Sequence, residues 1–135
     1  MYRNGLAALA VMLITSCSSV QRLDGTRWLT EYIDGNGVID NAQTTLEFTE
    51  PGRAAGRAGC NRYSAPIEVD GNALRFGDAI ATKMACVEAL MDQENRFLAA
   101  LRGVRSYRVQ DQKLQLLDET GKVRVSLSPL DDPRS

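Results

Sequence analysis

Apolar and polar side chains alternate in short runs through most of this chain, with turn signals between the runs. The turn signals are Asp34-Gly35-Asn36-Gly37, Pro51-Gly52, Asp70-Gly71-Asn72, Gly77-Asp78, Asp111-Gln112 and Glu119-Thr120-Gly121. The clearest run is 122–127, where Val123, Val125 and Leu127 fall on one side and Arg124 and Ser126 on the other. A two-residue period is that of a strand with one buried face. It predicts further strands over 27–33, 44–49, 63–69, 73–76, 79–84, 105–109 and 113–117. Strands this short, joined by tight turns, pair antiparallel. The expected fold is therefore mainly β, a small antiparallel barrel-like meander with one amphipathic helix.

That helix is where the period changes. Over 87–102, Val87, Leu90, Met91, Phe97, Leu98 and Leu101 recur at helical spacing. Gly103 is placed to cap the helix end, and Arg102 suits the negative pole of its dipole. Glu94 sits inside the apolar stripe, seven residues after Val87 and seven before Leu101. An inward carboxylate needs a partner, usually a cation. Arg62 and Lys83 are the expected partners, because each lies close in sequence to a cysteine. The other readings of Glu94 are the polar floor of a pocket, or acid–base chemistry with Asp92. Positions two apart face different sides of a helix, so that second pairing makes a poor dyad.

The first residues follow other rules. Arg3 precedes an uncharged, mostly apolar run from Gly5 to Ile14. About 20 apolar residues are needed to span a bilayer, so this run reads as a secretory signal peptide and not an anchor. Ile14-Thr15-Ser16-Cys17 resembles the bacterial lipobox, which implies cleavage before Cys17 and acylation of it. Ser18, and not aspartate, comes next, which by enterobacterial sorting rules favours the outer membrane, facing the periplasm. The expected organisation is 1–16 signal peptide, 17–22 lipid-anchored tether, 23–127 folded domain and 128–135 flexible tail. The nine residues between Cys17 and Arg27 reach about 30 Å fully stretched, so the domain would sit near the bilayer.

Cysteine use agrees with that address. With Cys17 assigned to lipid, Cys60 and Cys86 remain as an even pair in an oxidising compartment, which reads as one disulfide. The alternative is two buried thiols that never meet. Two cysteines in a chain with no histidine also leave a tetrahedral metal site half empty, so no metal and no cofactor are expected. The absent histidine further removes the Ser-His-Asp triad and the usual base near neutral pH. With 16 basic and 17 acidic side chains there is no excess positive charge for a polyanion, and no nucleic-acid partner is expected. The Gly-rich stretch 52–63 lacks the ending of a phosphate loop; its small residues suit a strand approached closely by its neighbours. Arg53 and Arg57 share one face of that strand, forming either a solvated face or an anion-binding patch.

Several blocks together resemble one family. Gly25-Thr26-Arg27-Trp28, Gly59-Cys60-Asn61-Arg62-Tyr63, Ala81-Thr82-Lys83-Met84-Ala85-Cys86 and Gln93-Glu94 with Phe97-Leu98-Ala99-Ala100-Leu101 are similar to the META/HslJ domain. Lys83 stands where arginine is common in the family. The resemblance implies a mainly β, barrel-like fold and no established catalytic activity. It makes Asn61, Arg62, Lys83 and Glu94 candidate structural or binding residues, the default being that they hold sheet to helix. Members include bacterial envelope lipoproteins, some linked to heat shock or novobiocin resistance. The expected function is thus a non-enzymatic lipid-anchored envelope domain serving stress tolerance or envelope integrity. Its expected partners are the membrane, through acyl chains on Cys17, and an envelope protein or component. The alternatives are an inhibitor of a secreted hydrolase such as lysozyme, and a small-molecule carrier with an open apolar barrel interior.

Overall fold

Trp28, Thr30 and Ile33 turn inward from strand β1 (Arg27–Ile33), and Arg27 at its start faces solvent. The chain goes on to β3 (Thr45–Glu50) and β4 (Arg53–Arg57), and the same alternation recurs in β5 (Arg62–Asp70) and β6 (Ala73–Phe76). Between β1 and β3 lies the two-residue β2 (Asn36–Gly37), and after β6 the equally short β7 (Ile80–Ala81). Helix α1 (Glu88–Gly103) follows, then β8 (Ser106–Gln110), β9 (Lys113–Leu117) and β10 (Val123–Pro129). This computed structural model describes residues 10–13, 22–40 and 42–130. The lipobox with Cys17, and most of the expected leader and tether, lie outside the described residues. Among the described residues no helix is long and apolar enough to cross a membrane.

Every strand pairing is antiparallel, and the pairings form a ring. The order β1, β3, β4, β5, β6, β8, β9, β10 returns to β1, so neither end of this path is left as an open edge. The β6–β8 seam is the thinnest part. It is held by the pair Ala73–Ser106, with Leu74 N–H donating to Arg105 O at 3.0 Å and Tyr107 N–H to Asn72 O at 2.9 Å. The mainly β, barrel-like reading with one helix is the observed architecture.

The interior is filled by side chains. Leu46, Phe48, Leu74, Leu114, Leu116, Val125 and Leu127 are fully buried, and α1 adds Phe97. Phe97 meets Tyr63 edge to face, with ring centroids 5.5 Å apart. Burying a ring of that size contributes about 2–3 kcal/mol, and Ala100 and Leu101 of α1 are buried beside it. The packed interior removes the cavity that a carrier with an open apolar barrel would need.

Four local expectations change. Strand pairing over 79–84 shrinks to Ile80–Ala81, because a side chain captures the backbone beyond it. Val87 is 68% exposed and lies just before the helix, so the buried stripe is Gln93, Glu94, Phe97, Ala100 and Leu101. Gly103 is the last helical residue, and the extended Val104 is the cap. Ser128 and Pro129, expected in the tail, belong to β10 opposite Leu29 and Trp28, and Leu130 N–H donates to Arg27 O at 3.0 Å; residues 131–135 lie outside the described residues.

Candidate functional site

The β4–β5 hairpin turns through Ala58-Gly59-Cys60-Asn61, closed by Ala58 N–H donating to Asn61 O at 2.8 Å. All four residues are buried, although turns normally lie at the surface. The reason is α1. Gly59 brings its backbone against the helix, where an added Cβ would lie 3.1 Å from Leu90 O and 3.3 Å from Glu94 Cβ. That approach aims Asn61 at Glu94. Asn61 donates its main-chain N–H to Glu94 Oε1 at 2.6 Å and its Nδ2 to Oε2 at 2.8 Å. Its own oxygen Oδ1 accepts from Met84 N–H at 2.6 Å and from Thr82 Oγ1 at 3.1 Å.

The inward-facing carboxylate is therefore real, and its expected partners are wrong. Glu94 is 4% exposed and held by the two donors of Asn61, with neither Arg62 nor Lys83 on it. Both of those side chains are exposed, Arg62 on the outer face of β5 and Lys83 on the loop after β7. A neutral amide serves where a cation was expected, since a carboxylate in a buried site needs donors and not necessarily an opposite charge.

Gln93 lies beside this node and is fully buried. It accepts from Ile39 N–H at 2.8 Å and donates to Thr44 Oγ1 at 3.0 Å, tying α1 to the β2–β3 connection. Its signal in the sequence was its place four residues before Phe97 and seven before Ala100.

Cys60 and Cys86 form a disulfide, with Cα atoms 6.0 Å apart. Together with Asn61 it suspends the segment 79–87 across the hairpin turn. The segment shows apolar side chains to solvent: Ile80 is 76% exposed, Met84 58% and Val87 68%. Between it and α1 lies an open groove of about 670 Å³, with Met91 on the helix side and Asn61 and Glu94 at its base. The motif residues are thus the supports of an exposed apolar ledge.

A second concavity, about 310 Å³, lies on the outer face of β1, β3, β4 and β5. Arg27, Glu47, Arg57 and Arg62 line it, with Gln43, Thr45 and Gly56. At Gly56 the φ angle is +156°, and an added Cβ would lie 2.4 Å from Thr45 O, so the strands meet here without a side chain between them. Thr45 Oγ1 accepts from Arg57 N–H at 3.0 Å, and Thr45 O accepts from Tyr63 Oη at 2.7 Å. Burial, and next the charge of Glu47, raise the Tyr63 phenol well above its usual pKa.

The sequence profile of the META domain matches residues 21–129. No curated protein matches the chain. Among solved structures, the NMR structure of a protein from Burkholderia xenovorans is 28% identical, with a TM-score of 0.67 over 82% of this chain and 85% of that one. A second NMR structure is 20% identical, with a TM-score of 0.62 over 78% of this chain and 90% of its own, a likeness of fold alone. A DUF4847 family protein from Bacteroides vulgatus is 19% identical, with a TM-score of 0.47 over 62% of this chain and 57% of that one.

Proposed function

This chain belongs to the META domain family, and from that premise we propose that it is a non-enzymatic, lipid-anchored domain of the bacterial cell envelope that acts by contact. Acyl chains on Cys17 hold it to the membrane, in the outer membrane facing the periplasm. The domain then serves stress tolerance or envelope integrity by binding an envelope protein or component through the ledge of residues 79–87. The observation that carries this reading is the apolar ledge itself. Ile80, Met84 and Val87 are all exposed on one segment fixed by a disulfide and by Asn61. Exposed apolar side chains gathered on a rigid support are a mark of a binding surface.

Thr82, Lys83 and Asn61 place polar groups along the groove beside the ledge. Glu94, the one carboxylate there, is held by Asn61. The anchor explains why a domain with a short tether would meet its partner at the membrane surface.

Two measurements test the reading. Mass spectrometry of the chain from native membranes should find Cys17 acylated at the new amino terminus; an intact, unacylated amino terminus in the cytosol would overturn it. Crosslinking through a photoreactive side chain at position 84 in intact cells should capture one envelope component. With the photoreactive side chain kept at position 84, exchanging Ile80 and Val87 for serine should abolish that capture and raise sensitivity to heat and hydrophobic antibiotics.

A further inference from the structure

Arg57 and Arg62 are directly opposed across the β4–β5 pairing, at the mouth of the concavity whose base is Gly56 and Thr45. Like charges directly opposite each other on neighbouring strands repel and weaken the sheet. Among the described residues neither guanidinium has a carboxylate partner. The one carboxylate of the concavity, Glu47, is engaged by Arg27 through its Nε at 3.0 Å and its terminal nitrogen at 2.9 Å. Three guanidiniums and one carboxylate therefore line a single recess.

The pair is also held in place. It brackets the turn that Asn61 and the disulfide fix to the rest of the molecule, so Arg57 and Arg62 project from a rigid hairpin base. A repulsive pair on a rigid base, opening on a concave surface, is an arrangement that an anion completes. One arginine fork matches the two oxygens of a carboxylate; two forks from adjacent strands match an anion with three or more oxygens. Gln43, exposed on the rim, adds an amide donor.

We propose that the Arg57–Arg62 recess binds a phosphoryl group, carried either by an anionic phospholipid headgroup or by a small soluble phosphate. The site is separate from the apolar ledge and does not depend on how that ledge is used. Both arginines donate N–H groups to the phosphoryl oxygens, and the charge of the anion relieves the repulsion between them.

The test uses the full chain in zwitterionic detergent micelles and follows the side-chain Nε–Hε resonances of Arg57 and Arg62 by NMR. One arm titrates inorganic phosphate against sodium chloride at matched ionic strength. The other dopes the micelles with phosphatidylglycerol. Both resonances should shift together and saturate in at least one arm. A response to phosphate identifies a small-anion site, and a response to the lipid alone identifies a headgroup site; either supports the proposal. Arg57→Gln and Arg62→Gln should each weaken binding at least tenfold, with melting temperatures unchanged or raised because the repulsion is gone. Arg53→Gln, on the same strand but outside the recess, should bind as the parent does. Absence of a shift in both arms, an equal shift with chloride, or equal losses in all three variants would overturn the proposal.

Discussion

Asn61 donates twice to Glu94, once from its main chain and once from its side chain, so both carboxylate oxygens are used by one residue on the facing hairpin. The geometry demands an acceptor at each oxygen. In Glu94→Gln one of them becomes an NH₂ group facing an N–H of Asn61, donor against donor in a buried site. A charge-assisted hydrogen bond is lost and a buried donor is left unmet, at a cost of about 2–3 kcal/mol. Thermal unfolding should fall by roughly 10 °C. An unchanged melting temperature would contradict a supporting role for Glu94.

The Cys60–Cys86 bond should act on the ledge before it acts on the ring of strands. It closes a loop with a sequence separation of 26, worth about 3–4 kcal/mol in the chain-entropy view. Its residues lie in the turn and the ledge and not in the ring of strands. On replacement of both cysteines by serine, the amide of Met84, which donates to Asn61 Oδ1, should exchange with solvent much faster. Amides of β9 and β10 should change far less. Hydrogen exchange read residue by residue checks this, and uniform acceleration would contradict it.

The residues that sequence reading placed well are those whose burial follows a period. Lys113–Leu117 and Ala73–Phe76 form as strands with the expected bounds, because Leu114, Leu116, Leu74 and Phe76 alternate cleanly. The pairing of Cys60 with Cys86 followed from counting, once Cys17 was set aside. What the pattern could not show is a side chain standing in for backbone. Residues 82–84 alternate like a strand, yet Asn61 Oδ1 takes the Met84 N–H that a ladder would have used. The partner of Glu94 was missed for a related reason. Matching by charge looks past amides, and the residue that serves the carboxylate carries no charge at all. The recess of Arg57 and Arg62 was half visible: Arg53 and Arg57 share a strand face, but the partner across the hairpin depends on register.

Gly56 should tolerate no side chain. Its φ of +156° disfavours any other residue, and a Cβ would come 2.4 Å from the carbonyl oxygen of Thr45. Gly56→Ala must push β3 and β4 apart at the point where Thr45 also accepts from Arg57 N–H and Tyr63 Oη. Overpacking and backbone strain each cost about 1–3 kcal/mol. Gly121→Ala is the control, since its Cβ meets nothing within 4 Å and only its φ of +83° is strained. Denaturant unfolding should rank the variants parent, Gly121→Ala, Gly56→Ala, from most to least stable.

Tyr63 should make the fold sensitive to alkali. Burial, and secondly the charge of Glu47, raise its pKa well above the 10.0 of a free phenol, and its hydroxyl must keep its proton to donate to Thr45 O. Below pH 10 the phenol is neutral in both the folded and unfolded states, and its full contribution is present. Above about pH 10 the unfolded chain releases the proton while the folded chain retains it, so stability falls as pH rises. Tyr107, whose pKa is raised by burial and then by Asp24, acts in the same direction. Tyr63→Phe removes a buried hydrogen bond, leaves the Thr45 oxygen without that donor, and should cost about 1–2 kcal/mol at pH 8. It also removes the ionisable group, so the deficit against the parent should narrow steadily between pH 9 and pH 11. Denaturation midpoints measured across that interval for both proteins give the two slopes directly, and parallel slopes would show that Tyr63 releases its proton equally easily in both states.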